Sequence, residues 1–332
     1  MMLSDLIAFL WQPALQSIYV ILAVLLLDRY WVLPGHLNPW VMWRFIGIQM
    51  AKKVCNDGHD HAQQQIIAGG LSILVLVIPS TTLFYLLYQF AYYPIFFDAI
   101  LLFFSLTMSG HLAQYKKCAK ALRFNRRRLA KDMLAKMVLR DTKALSNIGI
   151  SKAAIESLIL RFQYQQIVSI FWFILAGPFA AFTYRSCFEL YQVWNPKIRR
   201  YKEFSRVTQA IVYAFQWLPI RLGSLLALLG MQGIWMFSRL SLKGLLSGLI
   251  CNNGHLILGI NSQALRLHLS GAVMYEGIKY RRSKFFGQRE PILSDIHKPL
   301  DLIRRSLWLF VALMLPISIL LDARLNSLLS GL

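Results

Sequence analysis

The chain is 332 residues long and 57% hydrophobic, with a mean hydropathy of +0.49, above the roughly 45–50% apolar content of soluble domains. Its 36 Lys and Arg against 15 Asp and Glu give a formal charge of +21. No nucleic-acid motif accompanies that charge, so nucleic acid is set aside in favour of positive-inside loops and anionic membrane lipid. Four cysteines without paired spacing (Cys55, Cys118, Cys187 and Cys251) exclude a disulfide framework and a cysteine zinc site.

The apolar residues gather into blocks, and a bilayer needs about 20 of them per helix. The opening MMLSDLIAFLWQPALQ carries Asp5 where a basic region would precede a cleavable leader. The first block, 17–27 with a start near Leu6, is therefore expected to be retained as an anchor ending at Asp28-Arg29. Residues 40–54 mix apolar side chains at helical spacing with Arg44, Lys52 and Lys53. This predicts an amphipathic helix on the membrane surface, with Trp40 and Trp43 in the interfacial aromatic belt. Spans are predicted at 66–87 and 93–108. Asp98 in the latter admits a functional or a structural role.

From 111 to 152 the chain is strongly basic, and Leu122, Leu129, Met133 and Met137 share one side of a helix. The pattern predicts a long amphipathic helix on the cytoplasmic side, its Arg126-Arg127-Arg128 run facing solvent and lipid or a substrate phosphate. Residues 167–184 are interrupted by Gly177-Pro178. Residues 210–231 contain Pro219 and Arg221; an Arg at mid-bilayer costs about 2.5–3.5 kcal/mol and should face protein or water. The last span is predicted at 307–321. The basic stretches 197–206 and 281–289 leave open whether one broken segment is re-entrant. Broken helices line substrate cavities, so the pocket is expected between them.

The expected fold is thus all-α: a polytopic transmembrane helical bundle with broken or re-entrant helices. It forms a single domain over 1–332 with a basic cytoplasmic helical insert at 112–152. Asp57-Gly58-His59-Asp60-His61 reads as a solvated loop, and His111, His255, His268 and His297 read as structural. No Walker loop, G-x-S-x-G, H-E-x-x-H or CxxC is found.

The stretch 139–222 resembles the core of the CobD/CbiB family. Arg140-Asp141-Thr142 matches its RDT segment, and Ile155-Glu156-Ser157 the start of its acidic helix. Phe171-Trp172, Ala176-Gly177, Tyr184-Arg185 and 218–222 (LPIRL) match later motifs. Asp28, Pro34, His36 and Pro39 resemble the family's opening; Ser270-Gly271-Ala272 and Phe286-Gly287 resemble its ending. The departures are also specific. The family's Glu-Asn falls on Leu160-Arg161 and its Asp-Gly on Tyr164-Gln165; NTLDS reads as residues 188–192. A paired Asp falls on Val212-Tyr213, and an Asn on Gln216.

The resemblance implies a bacterial inner-membrane, multi-pass protein of cobalamin biosynthesis. Its reaction joins adenosylcobyric acid to aminopropanol or its phosphate by an ATP-dependent amide ligation with Mg2+. It implies Asp141 and Glu156 as catalytic and metal-holding residues, with Arg140, Tyr184, Arg185 and Arg221 on substrate and phosphate. Glu189 is a further acid beside a lost family Asn. Arg140-Asp141 reads equally as a register-fixing ion pair, and Glu156 as a helix-start acid. A second branch of the same fold, the AmpE-type membrane modulators of β-lactamase regulation, shares the acidic losses and a W-x-P-x-R-L run. It implies a sensor without catalysis or cofactor, and either branch allows a homo-oligomer.

Overall fold

A computed structural model of the protein describes residues 13–34, 37–55, 62–232, 252–275, 277–285 and 287–329. The acidic-histidine run at 57–61, His36, Cys251 and Phe286 lie outside the described residues.

Helices follow in the order α1 Pro13–Tyr30, α2 Pro39–Val54, α3 Ala62–Gln89, α4 Pro94–Leu106, α5 Ser109–Arg123 and α6 Arg127–Ala135. Then come α7 Asn147–Arg161, a π-helical turn Phe162–Ile167, α8 Val168–Val193, α9 Arg206–Gln232, α10 Asn253–Leu265 and α11 Lys298–Leu329. Between α10 and α11 lie two short antiparallel pairs, β1 Leu269–Ser270 with β4 Lys284–Phe285 and β2 Val273–Tyr275 with β3 Ile278–Tyr280. Five helical stretches among the described residues are long and apolar enough to cross a membrane. The protein is an all-α membrane bundle.

α7, the π-turn and α8 form one 47-residue spine, Asn147–Val193. It starts where the Ser146 hydroxyl accepts the Gly149 N–H at 3.1 Å, a standard N-cap. The extra residue of a π-turn rotates the following side chains out of α-helical register, so α7 and α8 present different faces to their neighbours. α8 then breaks where the sequence places Gly177-Pro178, with Ala176 and Gly177 off helical geometry and Gly177 at φ 80. α8 packs on α2, α3, α4 and α9, and α9 on α10 and α11. Within a bilayer such contacts rest on close van der Waals packing rather than on water exclusion. On α3, Leu71, Leu74, Val75 and Ile78 stay exposed, the composition of a lipid-facing surface.

Three expectations are corrected. The basic segment is not one long helix: Asn125 at φ 55 divides it, and Arg126 N–H reaches back to Ala121 O at 2.8 Å. Asn tolerates this left-handed conformation better than most residues. Trp40 and Trp43 are packing anchors instead of rings free to face a bilayer, Trp40 being buried and Trp43 half-buried. Their indole N–H groups donate to Phe104 O at 2.7 Å and Ser186 O at 3.1 Å, pinning α2 to α4 and α8. Pro219 does not break its helix, since α9 runs unbroken from Arg206 to Gln232.

Candidate functional site

A cavity of ≈ 280 Å³ opens where the π-turn joins the spine. Its walls come from the segment before α7, from α7 and α8, from α9, from the first turn of α10 and from the hairpin region. Glu156 on α7 is the only carboxylate among the described lining residues, facing Arg140, Arg161, Lys197 and Arg282. It is 3% exposed and fully engaged. Its Oε2 lies 3.0 Å from Arg140 Nη2 and 3.5 Å from Arg282 Nη2. Its Oε1 accepts the Ser270 N–H at 2.7 Å. That last bond fixes β1 against α7, with Ser270 held at φ 64.

Arg161 ends α7 at the cavity wall. One guanidinium nitrogen lies 3.1 Å from His111 Nε2, and another donates to Met137 O at 3.2 Å. Tyr164, Phe188, Tyr191, Tyr213 and Tyr275 supply an aromatic wall. Tyr164 and Phe188 stand 5.8 Å apart by ring centroid, Tyr191 and Tyr213 6.2 Å. The Lys197 ammonium sits 5.2 Å above the Tyr275 ring. α10 points its N-terminus inward: Asn252 caps Gly254 N–H at 3.1 Å and donates to the Tyr213 hydroxyl at 3.3 Å. Together these groups make a cation-rich, aromatic-walled recess suited to an anionic organic ligand.

Of the residues expected at a site, Arg140 and Glu156 line this cavity; Asp141, Tyr184, Arg185 and Arg221 do not. Asp141 is exposed, its N–H donating to Met274 O at 3.0 Å and its carboxylate accepting Gly277 N–H at 3.1 Å. It ties down the turn between β2 and β3. Tyr184 is fully buried, donating to Tyr164 O at 2.5 Å and accepting from the lining residue Gln216 at 3.0 Å. Arg185 pairs with Glu189 at 2.6 Å, with Arg44 3.6 Å from the same carboxylate. Glu189 is therefore a counter-ion rather than a free ligand. Arg221 stacks 4.3 Å from the Trp217 ring and bonds Asn253 Oδ1 at 3.2 Å, joining α9 to α10. Asp28 caps α5, accepting the N–H groups of Met108 and Ser109 at 3.2 and 3.3 Å.

The sequence profile of the CobD/Cbib protein family matches residues 20–303. The chain belongs to the CobD/CbiB family. It is 27% identical over 305 residues to a protein of Chromobacterium violaceum named cobalamin biosynthesis protein CobD, covering 90% of this chain and 96% of that one. A protein of the same name from Stutzerimonas stutzeri is 27% identical over 187 residues, 55% of this chain and 61% of that one. No solved structure matches.

Set against the CobD/CbiB resemblance, the cavity has a second meaning. Leu160, Arg161, Tyr164, Phe188, Tyr191, Gln192, Tyr213 and Gln216, all at or beside positions where this sequence departs from the family motifs, line it together. Arg161, Lys197, Tyr191, Tyr213, His255 and Arg282 were not singled out from the sequence as site residues. For Arg161, Tyr191 and Tyr213 the departure from the motif was itself the signal. His255, read as structural, lines the cavity near the start of α10.

The donor set present does not suit Mg2+. That ion takes oxygen ligands in near-octahedral geometry. The cavity's described carboxylate is already shared by two guanidinium groups, and Asp141 lies outside the cavity. Among the described residues no group of three or more His, Cys, Asp or Glu side chains could hold a metal. Phosphate groups, by contrast, match the surrounding cations.

Proposed function

We propose that this protein is a bacterial inner-membrane protein of cobalamin biosynthesis, joining adenosylcobyric acid to aminopropanol phosphate by amide formation. Family membership supports the pathway. The observation that carries the reading is the recess itself, where four cationic side chains converge and the described carboxylate is already neutralised. Such a recess favours a phosphate ester, and its tyrosines offer flat apolar surface to an organic partner. A nucleotide that activates the corrinoid carboxylate would bring phosphates of the same charge class. The Arg140–Glu156–Arg282 group holds the walls in register so that acid and amine are presented together.

A second reading, a modulator of the AmpE type without catalysis, is favoured by one observation: Arg161, Tyr164, Tyr191 and Tyr213 stand where the family motifs carry acids or amides. One assay separates the two. Membranes carrying the protein are given adenosylcobyric acid, aminopropanol phosphate and Mg-ATP, and the amide is sought by mass spectrometry. Product above empty-membrane background is the expected result. Its absence, beside an active family synthase, would favour the second reading.

A further inference from the structure

We infer that the cavity takes a phosphate monoester directly on Arg161, Lys197 and Arg282, with no bridging divalent cation. This rests on the cavity being the substrate site, as proposed above, and adds how its ligand's charge is met.

The described lining residues carry four cationic side chains and one carboxylate. That carboxylate spends its oxygens on Arg140, Arg282 and the Ser270 N–H. It is not free to bridge a metal to a ligand without breaking all three contacts. Arg282 lies farther from the Glu156 carboxylate than Arg140 does, 3.5 Å against 3.0 Å, and its Nε donates to Gly271 O at 3.3 Å.

Arg161 and Lys197 have no carboxylate within ion-pair distance among the described residues. The contacts of Arg161 are to neutral groups, the His111 ring and Met137 O. Lys197 rests over the Tyr275 ring. Arg161 is the costly one of the two, since it is held in the wall and the nearby Glu189 charge is already paired with Arg185 and Arg44. A ligand anion relieves that cost, and the exposed Lys197 ammonium adds attraction at the rim. The inward N-terminus of α10 adds a partial positive charge on the same side. In many phosphate sites a metal offsets ligand charge; here guanidinium and ammonium groups stand in that position.

The test uses protein in phosphatidylcholine nanodiscs, titrated with aminopropanol phosphate by calorimetry, once with EDTA and once with Mg2+. The dissociation constant is expected to agree within about twofold between the two conditions. Lys197→Met and Arg282→Gln should each weaken binding about tenfold or more, the size of one charge-assisted contact. Lys197 is exposed, so its removal leaves folding intact. Lys202→Met, also exposed and outside the cavity, serves as the charge-matched control and should bind as wild type. Binding abolished by EDTA overturns the inference, as does binding indifferent to both variants. Displacement of the soluble ester by phosphatidic acid in the nanodisc, itself a phosphate monoester, upholds the chemistry of the site and identifies a lipid headgroup as the source of its phosphate. Metal-free binding without amide product leaves this inference standing and sinks the ligase reading. Product formation with Mg2+-dependent binding does the reverse.

Discussion

Arg185 and Glu189, one helical turn apart on α8, meet at 2.6 Å with side chains only 2% and 3% exposed. The pair sits near the C-terminal end of the spine, and the Arg185 guanidinium also contacts Thr107 at 3.2 Å and the Trp40 ring at 5.4 Å. It joins α8 to α2 and to the α4–α5 junction.

Removing one member should cost more than removing both. Glu189→Gln leaves Arg185 without its counter-ion, a change worth about 3–5 kcal/mol for a buried pair. Arg185→Met with Glu189→Leu removes both charges and should recover most of that loss. Arg44, 40% exposed, can then turn to water. Thermal unfolding in detergent measures the three proteins. A single variant as stable as wild type would mean the pair is not desolvated as the packing indicates.

Asp141 and Glu156 should behave differently although both were expected to hold metal. Glu156→Gln breaks a buried contact with two arginines and should destabilise by roughly 3 kcal/mol or more. Asp141→Asn removes charge from an exposed turn and should stay within about 0.5 kcal/mol. Equal losses in a thermal-shift series would contradict the assignment of Glu156 as the anchor of the recess.

Gly69 on α3 has no room for a side chain. A Cβ there would lie 1.9 Å from Phe204 O, a backbone atom. Gly69→Ala must push α3 away from the turn before α9, at a cost of about 1–3 kcal/mol. Gly70→Ala meets only Val207 side-chain atoms at 3.4 Å and beyond, so it should be tolerated. Comparing yields of folded protein and melting temperatures for the two alanine variants tests this.

Glu290 lies in the loop before α11 and predicts a response to acid. Burial pushes its carboxyl upward. The Lys284 hydrogen bond and the charges of Lys152 and Lys284 outweigh that and hold it below its ordinary value of 4.5. The stabilisation is therefore fully present above that value and lost as pH falls through the lower folded value. Wild type and Glu290→Gln should differ in melting temperature near pH ~7 and converge as pH drops toward ~3. A difference that persists in acid would remove Glu290 from the account.

The sequence by itself determined the solvent, the fold class and the family of this protein. Hydrophobic blocks of span length are a local property, and so is the Gly177-Pro178 break, because φ restriction acts on the residue that carries it. Motif spacing at 140–142 and 218–222 pointed to the family without any contact being known. What only the tertiary structure decided was which polar groups share a space. Arg140 and Asp141 are neighbours in the chain, yet one faces the cavity while the other pins the β2–β3 turn. The π-turn at Phe162–Ile167 has no signature in the hydrophobic pattern, and it offsets α8 from the register of α7. Lys197, Arg282 and the start of α10 reach the same recess from distant parts of the chain. A side chain's ionic role depends on the counter-charges that packing brings near it, and sequence spacing does not encode those distances.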